Sequence, residues 1–308
     1  MAAKAWGLQQ KPIDEIFYQN DAVSLCLLVN RRAKTMRVVD FRAGPTPGKR
    51  THVLALAKRE GVEKVFTLVE RDEVATWVKL GFAKEGSIPG FYKRSDAFLL
   101  GCAAQADAVV SQSRIALGDD DDDEPRRPSA AHDFAEKTLA HAKRQAKSIT
   151  AKMLPPAKVT PLREADARKA VSAALKCGRA LTAFEPFGRD IERRYFSLTT
   201  RGGFDLVAST ESQSCFGNAF IELLQAPRNE AERLGTIGAL GALCDKLLAE
   251  DVVTSFAVSP SDDLPLATAF VVNGFRRTGL LESHVIVAGG DRKDAIIWSR
   301  KLANPADE

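Results

Sequence analysis

The stretch from Asn218 to Val258 most constrains what this chain can fold into. Asn218–Gln225 is a short apolar run that stops at Ala226-Pro227, where the proline withdraws a backbone donor. From Glu230 to Ala249 the residues Leu234, Ile237, Leu240, Leu243, Cys244, Leu247 and Leu248 recur at helical spacing. Val252–Val258 is a second short apolar run, which reads as a buried strand. Strand, long helix and strand each carry an apolar face, and those faces bury one another only in a layered α/β fold.

The flanks extend the pattern. Tyr195–Thr200 and Phe204–Thr210 are β-rich runs joined by Arg201-Gly202-Gly203, a hairpin signal. A helical run reaches Val272, Asn273-Gly274-Phe275 follows, and strands around His284–Val287 and Ala295–Ser299 close the unit. A helix over Glu164–Phe184 opens it. Upstream, Leu25–Asn30 and Met36–Phe41 read as strands, Lys49–Glu60 as a helix and Lys64–Val69 as a strand. Arg71–Leu80 reads as a helix, and Ile88–Leu100 as extended chain. The expected division is a shorter first domain over 13–115, a charged linker over 116–157 and a second domain over 158–308, as the length of 308 residues allows.

Composition narrows the partners. Lys+Arg of 44 against Asp+Glu of 40 leaves a net charge of +4, too mild to demand nucleic acid. No apolar run approaches the roughly 20 residues that span a bilayer, and Met1–Gln10 lacks an apolar signal core. A cytoplasmic location is expected. The five cysteines and four histidines show no ligand spacing, so neither a disulfide framework nor a metal is expected.

Gly44-Pro45-Thr46-Pro47-Gly48-Lys49-Arg50-Thr51 invites comparison with a phosphate-binding loop. Three residues separate its glycines where four belong, Arg50 stands where Ser or Thr should hold magnesium, and two prolines remove amide donors. A turn into a helix is the expectation. Asp119–Glu124 is an unbroken acidic run, expected to be disordered, and His132–Lys152 is a basic helix candidate with a thin apolar face, read as a solvated tether.

The order of elements resembles the GNAT acyltransferases, and the details resemble the β-lysine acetyltransferases. The residues that carry this are Phe187 and Tyr195, Leu206-Val207-Ala208-Ser209-Thr210-Glu211, Asn218-Ala219, Gly274-Phe275, Thr278-Gly279-Leu280-Leu281 and Ile297-Trp298-Ser299-Arg300-Lys301-Leu302. Glu63–Leu68 and the segment Leu80–Lys93, with Glu85-Gly86-Ser87-Ile88-Pro89-Gly90-Phe91, resemble that family's N-terminal half. The resemblance implies tandem GNAT-like (acyl-CoA N-acyltransferase) domains, mixed central sheets flanked by helices, with the first domain abbreviated. It implies transfer of an acetyl group from acetyl-CoA to a small-molecule amine, with a homodimer as a possible assembly. The competing class is a catalytically degenerate GNAT-fold module that binds a ligand or protein.

The same resemblance places the cofactor. Acetyl-CoA would lie along Leu223, Leu224 and Gln225, with its phosphates over Arg228, Arg233, Leu234 and Gly235. GNAT folds cradle pyrophosphate on a Gln/Arg-x-x-Gly-x-Gly/Ala loop at a helix N-terminus. Here the order is Arg233-Leu234-Gly235-Thr236-Ile237-Gly238, with Glu230 and Glu232 close by. Phe270 stands where many GNATs carry a tyrosine that protonates the leaving thiolate, which phenylalanine cannot do. The candidate bases are Glu222, in the central strand, and Glu211, with His284 behind them. Alternation puts Phe220, Glu222 and Leu224 on one strand face and Ile221, Leu223 and Gln225 on the other. A carboxylate in so apolar a strand needs a partner or a cleft.

Overall fold

A computed structural model describes residues 13–104 (except 32, 43 and 94), 130–181, 191–287 (except 214) and 290–303. The acidic run and Phe187 lie outside the described residues.

The first half runs β1 (Asp14–Gln19), β2 (Ser24–Asn30), β3 (Thr35–Asp40), α1 (Pro47–Arg59), β4 (Lys64–Val69), α2 (Val74–Lys79), β5 (Ala83–Ile88) and β6 (Ala97–Ala103). Next comes α3 (Ala130–Ser148). The second half runs β7 (Ala157–Leu162), α4 (Glu164–Lys176), β8 (Glu192–Thr200), β9 (Asp205–Gln213), β10 (Asn218–Leu223), α5 (Glu230–Leu248), β11 (Thr254–Pro260), α6 (Leu264–Val272), β12 (Arg276–Ile286) and β13 (Arg292–Lys301).

All these strands form one sheet, ordered β1-β2-β3-β4-β6-β5-β12-β13-β11-β10-β9-β8-β7. Read outward from the middle, the six strands of the first half repeat in the second, which adds β7 at its outer edge. β3 and β4 are parallel and joined through α1, β10 and β11 are parallel and joined through α5, and every other neighbouring pair is antiparallel. Separate sheets for two domains were expected, and one continuous sheet is found. The seam between β5 and β12 is pinned at the pair Gly86↔Gly279. A Cβ on Gly279 would stand 2.4 Å from the Gly86 Cα and 2.5 Å from the Glu85 carbonyl oxygen, so only glycine permits this approach.

Two faces of the sheet are buried differently in the second half. Ile221, Leu223, Ala257, Ile296 and Trp298 pack under α5 and α6 in the largest core cluster. On the opposite face Leu224, Val207 and Tyr195 meet Ala167 and Val171 of α4, while Phe220 and Phe256 meet Phe91 of the first half. The alternation expected for β10 is therefore the one observed.

α3 is not a solvated tether. Ala135, Leu139 and Ala142 share one stripe and are buried in the second half's core. The Gln145 side chain accepts from Thr268 of α6 at 3.0 Å and from Arg233 of α5 at 3.1 Å, and Glu136 pairs with Arg277. Its buried stripe is mostly alanine, which contributes little apolar signal to a sequence pattern but allows close helix packing.

α1 begins as a plain turn into a helix. Pro47 occupies its first turn, and Lys49 is fully buried, its ammonium donating to the Asp40 carboxylate and the Arg42 carbonyl. A lysine committed inward cannot serve a phosphate outside.

Candidate functional site

The parallel pair β10 and β11 comes apart part-way along. Their pairing runs from Asn218↔Thr254 to Ile221↔Ala257 and then stops, while Glu222 and Leu223 continue in register with Ser209 and Ala208 of β9. The chain leaves β10 through residues 224–229 and enters α5. Asn229 caps that helix, accepting from the Glu232 amide at 2.9 Å.

Glu222 sits on the α4 face of the sheet and is buried. The Ser209 hydroxyl donates to its carboxylate at 3.2 Å across the β9–β10 pair. Glu211, two residues further along β9 on the same face, is also buried and forms an ion pair with Arg193 of β8. Tyr195 adjoins them, its phenol pushed up by burial. A buried polar row, Arg193, Glu211, Ser209, Glu222 and Tyr195, thus crosses three strands. Glu211 is held by a guanidinium, whereas Glu222 lies next to a hydroxyl where β10 leaves β11.

The helix mouth holds its own acids and bases. Glu232 accepts from the Arg228 amide at 2.8 Å and from the Arg179 guanidinium at 2.7 Å. Arg233 pairs with Glu230 at 2.8 Å, and Arg228 reaches Glu232 at 3.7 Å. Both arginines expected at the cofactor phosphates are therefore engaged by carboxylates, and Glu232 already satisfies an amide there. Gly235 and Gly238 are packing glycines. A Cβ on the first would stand 3.0 Å from Phe204, and on the second 2.5 Å from the Pro155 carbonyl oxygen. Leu234 packs against the core. Phe270 is buried, stacked on Trp298 at 5.5 Å and edge-on to Phe275 at 5.2 Å, as a core residue.

The occupant of the gap between β10 and β11 was not expected from the sequence. α4 ends at Lys176, not near Phe184, because Gly178 adopts φ +65° beyond the last turn. The chain then returns as an extended segment over Arg179–Leu181. Ala180 bridges Gln225, the Ala226 amide donates to the Arg179 carbonyl at 2.7 Å, and the Leu181 amide to the Leu224 carbonyl at 3.4 Å. The Arg179 side chain returns to the Ala226 carbonyl at 2.9 Å. Leu181 is buried in the same core cluster as Leu223 and Phe270. Peptide groups of Leu224 and Ala226 are thus paired with the chain itself. A cavity of about 410 Å³ remains between Ala180, Leu181 and the far end of β11, with Pro260 and Asp263 on its wall. Burial pushes the Asp263 carboxyl up. The signal that could have found this device is Cys177-Gly178-Arg179, a helix stop followed by a cation.

His284 lies at the seam, edge-on to Phe66 at 4.9 Å, buried and without a partner for Nδ1. Burial, Lys64 and Arg292 push its pKa down to about 3. It belongs to the junction of the two halves. Among the described residues no cluster of His, Cys, Asp and Glu could hold a metal, and no helix is long and apolar enough to cross a membrane.

No protein-family model and no curated protein matches the sequence. Among solved structures, the ribosomal-protein-S18-alanine N-acetyltransferase from Escherichia coli matches 49% of this chain and 97% of its own at 19% identity, with a TM-score of 0.38. A spermidine N-acetyltransferase from Vibrio cholerae, solved with CoA and spermine, matches 48% of this chain and 96% of its own at 11% identity, with a TM-score of 0.40. Both are GNAT-fold N-acetyltransferases. Likeness at this level carries no argument about substrate or cofactor.

Proposed function

We propose that the chain is an N-acyltransferase of the GNAT type, its two halves a tandem of that fold, with the acyl-CoA cleft of the second half closed by its own segment Arg179–Leu181. The observation that carries this reading is the divergence of the parallel pair β10 and β11 past Ile221↔Ala257, with a long helix starting at the opening and buried Glu222 beside it. A thioester laid along Leu223–Gln225 would present its carbonyl to an amine approaching from the α4 face. Glu222 would take the amine's proton as the C–N bond forms, the C–S bond would break with the coenzyme leaving as its thiolate, and positioning would supply much of the remaining rate. The proposed acceptor is a small amine of the β-lysine kind, on the strength of the sequence resemblance alone.

Cofactor entry requires Arg179–Leu181 to withdraw, so the test targets its anchor. Calorimetric titration with acetyl-CoA should give weak binding to the wild type and at least tenfold tighter binding to Arg179→Ala, which loses the bonds to Ala226 and Glu232. Absence of binding to both proteins would overturn the reading. A second reading, a catalytically silent binding module, is favoured by the engagement of Arg228 and Arg233 with Glu232 and Glu230.

A further inference from the structure

A second cavity, of about 610 Å³, opens where the loop between β5 and β6 meets the second half. Its floor includes Thr254, the first residue of β11, so it lies at the opposite end of that strand from the gap beside Glu222. Four cationic side chains line it: Lys93 from the first half, and Arg276, Arg300 and Lys301 from the second. Among the described residues none of the four is in an ion pair. The only carboxylate on the wall, Asp96, accepts from the Gly90 amide at 2.8 Å. Thr254, Thr278 and Ser299 also line it.

Like charges gathered around one concavity repel; of the four, Arg300 also reaches the buried Cys244 thiol of α5. The two halves hold together elsewhere, through the Gly86↔Gly279 pair and through Phe91, Phe220 and Phe256. An anion placed among the four cations would relieve the repulsion. The volume is that of a small-molecule site and far exceeds a single inorganic ion. We propose that this seam pocket binds a small organic anion bearing at least two negative charges, phosphate or carboxylate, and that the ligand touches both halves of the chain. The inference does not rest on acyl transfer.

Calorimetric titration of the full chain with sodium pyrophosphate and, separately, with citrate tests it, against sodium chloride of matched ionic strength. Saturable binding of at least one probe is expected, and the stronger of the two identifies the anionic group. The double variant Arg276→Gln/Lys301→Gln, changed at two exposed positions, should lose at least tenfold in affinity through two missing charge-assisted contacts. The same double variant should bind acetyl-CoA as the wild type does, which separates this pocket from the acyl-CoA cleft. Heats no larger than those of sodium chloride for both probes, or undiminished binding by the double variant, would overturn the proposal.

Discussion

Glu222 and His284 are buried titratable side chains with opposite consequences. If Glu222 takes the amine's proton, Glu222→Gln keeps the shape and the Ser209 contact but removes the basicity. Turnover with a responsive amine should then drop roughly a hundredfold or more while the melting temperature stays close to that of the wild type. Should no amine in a broad panel be acetylated, and Glu222→Leu melt higher than wild type, the carboxylate is a leftover charge and the silent reading wins. His284 speaks to stability. Its folded pKa of about 3 lies below the ordinary 6.5, so the unfolded chain binds the proton first. The stabilisation is complete above pH 6.5, declines as pH falls below it and is gone near pH 3. Denaturant melts between pH 7 and 4 should show a shallower acid loss for His284→Phe than for wild type, and parallel curves would refute the assignment. Nearby, Lys64 and Glu85 form a buried ion pair, and burial pushes Glu85 up. Lys64→Met alone strands a buried carboxylate and should cost about 3–5 kcal/mol.

Among the elements, α3 shows how much of the fold could be read beforehand and where reading failed. β10, α5, β11 and α6 were legible because leucines and valines announce their period. α3 was misread because a stripe of Ala135, Leu139 and Ala142 is apolar only through its smallness, and its binding surface is supplied by α6. Leu139→Ala should therefore lower stability by about 2–3 kcal/mol, measurable as a shift in urea midpoint, whereas a solvated tether would show no change. The site was legible in part. Strand alternation put Glu222 on the face where it lies, but no periodicity reports that Arg228 and Arg233 are taken by Glu232 and Glu230. Nor could it report that Gly178 turns the chain back into the gap. The two ion pairs are contacts three and four residues apart that charge spacing at the start of α5 could have flagged, whereas the turn into the gap depends on Arg179 meeting Ala226 and Glu232 far along the chain.

For the whole molecule the seam decides stability. Gly279→Ala would press a methyl into Gly86 and the Glu85 carbonyl, and overpacking of that kind costs about 3 kcal/mol. Calorimetry should then resolve two melting steps where the wild type shows one, and a single unshifted transition would show that the seam yields. The repeat across the seam has a further consequence. Each half pairs its own β-hairpins and parallel crossover without borrowing a strand, and the contact between halves is side by side. The chain is built like two partners that happen to share a covalent connection. Opened anywhere within residues 105–129, the polypeptide should survive as two co-expressed fragments that find each other and copurify, making this protein a natural candidate for split-protein complementation.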